Sequence, residues 1–170
     1  EIGPIRIDVD CERIRENTEG EYSGAGGRVH QGLRNEVAVE TSIFTREGVE
    51  RILRLAFEQA RLRSGRLASV TKSNAQKYSM VFWDKVYEQV ARDYPDIKTD
   101  MALVDALTMW MVKNPEYFDV IVASNLFGDI ITDLGAMLQG GMGFAAGANI
   151  NPEKKYPSMF EPIHGSAPKY

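Results

Sequence analysis

The fold of this chain is decided by residues 120–133, which have the sequence VIVASNLFGDIITD. The segment begins with an unbroken apolar run, which is typical of a parallel strand covered on both faces. Beyond the run, apolar side chains recur at helical spacing at Ile130, Leu134, Met137 and Leu138. A buried strand followed by a helix predicts an α/β layer.

The chain before this segment alternates in the same way from residue 67 onward. Apolar patterns predict strands at 67–71 and 97–104, and helical spacing predicts helices near 82–90 and at 105–113. The first helix is expected to stop before Pro95. Strands that alternate with helices predict a parallel sheet.

The start and the end of the chain have weaker patterns. Alternation of apolar and polar residues predicts strands at 5–12 and 37–43, and the glycine-rich stretch between them shows no pattern of its own. Thr45 is predicted to cap a helix that ends before Gly65. The sequence beyond Leu138 is rich in loop-forming residues, which favours a domain boundary near residue 139.

Composition excludes several classes of protein. The 170 residues carry a net charge of −4, which argues against a nucleic-acid-binding surface. The apolar runs are far too short for a membrane helix. A single cysteine, Cys11, cannot form an intrachain disulfide and fits a reducing cytoplasm. The chain starts without Met and without a signal-peptide pattern, so we expect it to be part of a longer protein.

Two carboxylates on the last predicted helix form a candidate metal site. Asp129 and Asp133 are four residues apart, so both lie on one helix face. Hard oxygen ligands suit Mg²⁺ or Mn²⁺ better than Zn²⁺, and open α/β sheets bind ligands at the carboxyl ends of their strands. The structural alternative is that Asp129 favours the helix N-terminus and Asp133 is solvated.

Three further side chains are candidates for chemistry. Arg15 follows the first predicted strand, and an arginine fork suits a substrate carboxylate. Tyr22 can act as a general acid when a neighbouring cation lowers its pKa. Lys72, at the end of a predicted strand, can act as a general base near a metal. A surface arginine, a packing tyrosine and a solvated lysine are the structural alternatives.

Residues 161–168, EPIHGSAP, form a glycine-containing loop whose backbone amides could approach a nucleotide closely. A surface turn is the alternative. The chain contains no G-x-G-x-x-G fingerprint, P-loop, zinc-ligand spacing or Ser-His-Asp order.

Five motifs, in order along nearly the whole chain, resemble those of the metal-dependent β-decarboxylating dehydrogenases. Members of this family act on isocitrate, 3-isopropylmalate, homoisocitrate, tartrate or D-malate. The motifs lie at residues 15–22, 71–74, 104–106, 125–133 and 161–168. Three stretches, 26–30, 71–76 and 148–161, look most like the members that act on tartrate or D-malate.

The resemblance implies a fold, cofactors and partners. The fold is α/β and isopropylmalate dehydrogenase-like, with a small dimer-forming domain and β arm at 1–139 and part of the large cofactor-binding domain at 140–170. The cofactors implied are NAD and Mn²⁺ or Mg²⁺, with K⁺ as an optional further cation. The protein is expected to be a cytoplasmic homodimer that acts on a small hydroxy diacid, with no nucleic-acid or membrane partner.

The resemblance also implies catalytic roles. Lys72 takes the substrate hydroxyl proton, Tyr22 protonates the enol carbon, and Arg15 holds a substrate carboxylate. The implied metal ligands are Asp129 and Asp133, completed by Asp105 of the partner subunit; Lys72 is also expected to come from the partner. The implied cofactor-binding residues are Asn74, Glu161, His164, Gly165, Ser166, Ala167 and Pro168.

Several alternatives stay open. The family has an N-terminal segment with further substrate arginines, which is missing from this chain, so an isocitrate, homoisocitrate or isopropylmalate dehydrogenase is a same-family alternative. A non-catalytic regulatory subunit is another, although retention of Lys72, Tyr22 and the three aspartates argues against it. The residues present do not decide between NAD and NADP. We expect the 170 residues alone to dimerise but not to reduce NAD.

Overall fold

The computed structural model describes residues 10–162 as eight strands and four α-helices. The strands are β1 (Glu12–Arg15), β2 (Gly20–Val29), β3 (Val37–Ile43), β4 (Arg66–Thr71), β5 (Lys98–Leu103), β6 (Val120–Ala123), β7 (Ala146–Asn149) and β8 (Met159–Pro162). The helices are α1 (Arg46–Leu62), α2 (Ser79–Ala91), α3 (Val104–Lys113) and α4 (Asn125–Leu138). None of these helices combines the length and the apolar character needed to cross a membrane.

The predicted parallel sheet is confirmed. It contains β1, β6, β4 and β5 in that order, and every neighbouring pair is parallel. The strand β6 is buried along its whole length, as its apolar run predicts. Because the strands are parallel, their carboxyl ends meet at one edge, and the residues that follow β1, β4 and β6 lie along that edge.

Helix α1 supplies much of the core. Thr45 caps it as predicted, and its Oγ1 accepts a hydrogen bond of 3.0 Å from the backbone N–H of Gly48. The apolar face of α1 contacts α2, β4 and β6. The residues of this face that are completely buried are Val49, Leu53, Ala56, Phe57 and Ala60.

The glycine-rich stretch between the predicted strands at 5–12 and 37–43, which shows no pattern in the sequence, contains the strand β2. It pairs with β3 in an antiparallel ribbon, which we call the arm, and Gly26 lies opposite Glu40. A Cβ atom at Gly26 would lie 2.1 Å from the carbonyl oxygen of Val39, so only glycine allows this approach of the two backbones. Every residue of β3 is exposed. Pairing with β3 therefore stabilises a strand that side-chain patterning does not reveal.

The described residues fall into two compact units, 10–131 and 132–162, which divide within α4. The sequence beyond Leu138 was expected to be loop-rich. This is only partly right, because β7 and β8 form an antiparallel hairpin there. Both strands are short and mostly exposed, so their sequences carry little burial pattern. The predicted division at 1–139 and 140–170 stays a prediction.

Residues 5–9 of the first predicted strand lie outside the described residues. Within them, β1 begins at Glu12 and includes Arg13 and Arg15. Arg15 pairs in register with Ala123, the last residue of β6, and this places Arg15 beside the start of α4.

Candidate functional site

Three of the predicted site residues meet beside the start of α4. Arg15 is the last residue of β1, Tyr22 lies on β2, and Asp129 lies in the second turn of α4. A terminal nitrogen of Arg15, Nη1, donates to Oδ1 of Asp129. The Tyr22 hydroxyl donates to Oδ2 of the same carboxylate at 3.2 Å. Residues far apart in the sequence thus form one polar cluster at the carboxyl edge of the sheet.

The guanidinium group of Arg15 has a second anchor, Asn125, which sequence reasoning missed. The Asn125 Oδ1 atom accepts from Nε and Nη2 of Arg15, at 3.1 and 2.7 Å. Its Nδ2 atom donates to the backbone oxygen of Glu19 at 3.0 Å. The side-chain stem of Arg15 crosses α4 at Gly128, where a Cβ atom would lie 2.6 Å from Cγ of Arg15. Two sequence signals were available for Asn125: it is a polar residue shortly after a buried strand, and it is the first residue of the motif at 125–133.

The segment from Arg15 to Tyr22 is attached to α4 through Glu21. The Glu21 carboxylate accepts a 2.8 Å hydrogen bond from the Ser124 hydroxyl and a 3.1 Å hydrogen bond from the backbone N–H of Leu126. An acidic side chain at a helix N-terminus is favourable because the first backbone N–H groups have no partner within the helix. Glu21 therefore fixes the position of its neighbour Tyr22 relative to α4.

Two other glutamates hold the loop between β1 and β2. The nearly buried carboxylate of Glu16 accepts from the backbone N–H groups of Thr18 and Glu19, at 2.7 and 2.9 Å, and pairs with Arg51 at 3.1 Å. The Glu19 carboxylate accepts from the backbone N–H and the hydroxyl of Thr45, at 2.9 and 2.8 Å. The acidic residues of this segment thus have structural roles, and its Arg and Tyr face α4.

Lys72 and Asp105 form a second group. Lys72 follows β4 and Asp105 lies in the first turn of α3, which follows the neighbouring strand β5. The ammonium group of Lys72 donates to Oδ1 of Asp105 at 2.7 Å. This hydrogen bond is the main reason why the pKa of the Asp105 carboxyl is lowered.

The pKa of Tyr22 is shifted upward, whereas the sequence analysis expected a neighbouring cation to lower it. Desolvation and, after it, the Asp129 carboxylate raise the pKa of Tyr22 above its usual value, and the nearby Arg15 opposes them. The expected lowering by a cation is therefore outweighed by desolvation and by the neighbouring carboxylate. A tyrosine is protonated at neutral pH with or without this shift.

Two of the predicted cofactor residues, Asn74 and Glu161, lie in the described part of the chain. Asn74 is exposed in the turn after β4, and Glu161 is exposed on β8. The residues at 164–168 lie outside the described part of the chain.

A family model described as isocitrate/isopropylmalate dehydrogenase matches residues 4–170. The chain belongs to this family. It is 55% identical, over 161 residues, to a probable tartrate dehydrogenase/decarboxylase of Bacillus subtilis, and 54% identical, over 162 residues, to D-malate dehydrogenase (decarboxylating) of Escherichia coli. Both matches cover 95% of this chain and 45% of the relative.

A solved structure shares the fold. Isocitrate dehydrogenase from Methylococcus capsulatus matches with a TM-score of 0.82 at 42% identity, over 92% of this chain and 45% of that one. The chain therefore spans about half the length of the family members it matches.

The carboxylates on α4 suit a hard divalent cation. The Asp129 side chain is 48% exposed at the edge of the sheet, and Asp133 follows one turn later on α4. Within residues 10–162, no three acidic, histidine or cysteine side chains lie close enough together to hold a metal ion.

Proposed function

We propose that the protein containing this chain oxidises and decarboxylates a small 2-hydroxy diacid, such as tartrate or D-malate, with NAD and Mn²⁺ or Mg²⁺. The cluster of Arg15, Tyr22 and Asp129 carries the proposal, because it combines a carboxylate-binding fork, a proton donor and a metal-binding oxygen at the edge of a parallel sheet. The names of the tartrate and D-malate relatives support this choice of substrate.

Each residue of the cluster has one role in this proposal. Arg15 binds a substrate carboxylate, and the Tyr22 hydroxyl, which lies 3.2 Å from Asp129, supplies the proton that replaces the lost carboxyl group. Asp129 and Asp133 would hold the cation, which would supply Lewis-acid polarisation of the substrate hydroxyl, and bound NAD would supply the hydride acceptor.

The second group completes the site from a partner subunit. Lys72 is the base that removes the hydroxyl proton, and Asp105 is a further metal ligand. The absence of any group of three acidic, histidine or cysteine side chains among residues 10–162 of one chain supports this assignment. The exposed ribbon of the arm is a suitable dimer contact, because pairing with a second copy would cover its strand edge.

An isocitrate dehydrogenase is the second candidate, favoured by the solved structure of that name. The two differ in the substrate group that lies beyond the shared hydroxy acid. Turnover of D-malate, L-tartrate, isocitrate and 3-isopropylmalate by the natural protein, with Mn²⁺ and either NAD or NADP, separates them.

We expect the highest kcat/KM with D-malate or L-tartrate and with NAD. The variant Tyr22→Phe should slow decarboxylation of added oxaloacetate more than it slows NAD reduction, because it lacks only the transferable proton. A preference for isocitrate would overturn the substrate assignment. Equal losses in both steps would make Tyr22 a structural residue.

A further inference from the structure

We propose that Asn125 is a positioning residue for Arg15, and that through this contact it sets the affinity of the site for a substrate carboxylate. The inference rests on the substrate-binding role of Arg15 proposed above. Asn125 is the first residue of α4, and the roles that the family resemblance implies do not include it.

The environment of Asn125 permits only one orientation of its amide group. The backbone oxygen of Glu19, 3.0 Å away, can only accept a hydrogen bond, so the amide nitrogen faces it. The amide oxygen then faces Arg15 and accepts from both Nε and Nη2. The residue is 4% exposed, so water cannot readily replace these contacts.

The result is a guanidinium group with a fixed orientation. The edge formed by Nε and Nη2 is bound to Asn125, and Nη1 is directed to Asp129. The missing Cβ atom of Gly128 lets the Arg15 stem lie close against α4. This close packing restricts the side chain further. An arginine that is already ordered loses less conformational entropy when a carboxylate binds, so the affinity is higher.

Steady-state kinetics of Asn125→Leu in the natural protein test the inference. Leucine has a similar size but cannot accept the two hydrogen bonds of Arg15. With D-malate, NAD and Mn²⁺, we expect KM to rise about tenfold, since hydrogen bonds to a charged group are lost. The kcat should stay within about twofold, because Arg15 binds the carboxylate equally in the ground state and the transition state.

Ser124→Ala is the matched control. Ser124 is also buried at the start of α4, but its hydroxyl donates to Glu21 and makes no hydrogen bond to Arg15. Its kcat can fall, because Glu21 positions the proposed proton donor Tyr22, but its KM should stay within about twofold of wild type because Arg15 keeps its hydrogen bonds to Asn125. Asn125→Asp keeps an oxygen acceptor for Arg15, so its KM should lie below that of Asn125→Leu, and it serves as the second variant if leucine prevents folding.

A double-mutant cycle gives the sharpest outcome. If Asn125 acts through Arg15, then Asn125→Leu should change KM by less than about twofold in an Arg15→Lys background. Three results would each overturn the inference. They are a KM in the double variant that equals the product of the two single effects, an unchanged KM in Asn125→Leu, and an equal KM rise in Ser124→Ala. Absence of wild-type turnover with every hydroxy diacid would instead overturn the proposed function.

Discussion

The parallel sheet and the arm are both built from short strands, but different interactions hold them together. The strand β6 is buried along its whole length, whereas every residue of β3 is exposed. Burial of apolar side chains stabilises the sheet, and backbone hydrogen bonds between β2 and β3 hold the arm. A two-stranded ribbon is marginal by itself, so the arm needs a further surface to become rigid. Arg15, Asp129 and Lys72 lie at the edge of the stable sheet, whereas Tyr22 lies at the start of the arm, where Glu21 attaches the chain to α4.

The variant Lys72→Met gives the largest expected effect and tests whether the sheet edge carries the reaction. In the natural protein, loss of the proposed base should lower kcat by roughly 10²–10⁴-fold and leave Mn²⁺ affinity nearly unchanged. Steady-state kinetics and calorimetric titration measure the two quantities. Lys85→Met, at an exposed position of α2, is the matched control and should keep wild-type kcat. A near-normal kcat in Lys72→Met would show that Lys72 is not the general base.

The variant Leu53→Ala compares the two regions in terms of stability. Leu53 is completely buried in α1, so its truncation should lower the free energy of unfolding by about 2–5 kcal/mol. Two exposed positions, Leu62 at the end of the same helix and Val39 on the arm, should each change it by less than about 0.5 kcal/mol when truncated to alanine. Urea denaturation followed by tryptophan fluorescence measures these values. A large loss in Val39→Ala would show that the arm is buried, either against the core or in the dimer contact proposed for it.

The variant Thr45→Ala has the smallest expected effect and probes the link between the two regions. Thr45 caps α1, which packs on the sheet, and also donates to Glu19, which precedes the arm. Loss of the cap should cost about 1 kcal/mol in the free energy of unfolding. Thr45→Ser keeps the hydroxyl and should restore most of that stability. Equal losses in both variants would indicate that the methyl group, and not the cap, matters.

Prediction from the sequence succeeds where burial imposes a pattern. The strands β4 and β6 and the helix α1 were predicted from their apolar spacing, since a side chain that faces a core must be apolar. Prediction from the sequence failed for β2, β7 and β8, because these strands are held by pairing with a neighbouring strand. Pairing of backbones leaves little trace in the sequence, because any non-proline residue can form the hydrogen bonds.

The candidate site divides in the same way. Arg15, Tyr22, Lys72 and the aspartates were found from the sequence, because each has a side chain suited to chemistry and lies in a motif of the family. Their arrangement into two groups stays invisible until the strands are placed, because it depends on which carboxyl ends are neighbours.

The sequence by itself determined the family, the α/β class and the types of side chain available for catalysis, because these follow from local patterns and motifs. Only the tertiary structure decided that Asn125 accepts hydrogen bonds from Arg15, that Glu21 caps α4 and that Gly128 lets the arginine cross the helix. These contacts join residues about a hundred positions apart, and their geometry is set by the register of β1 against β6. An amide, a carboxylate or a missing Cβ atom has no defined role until such a neighbour is in place.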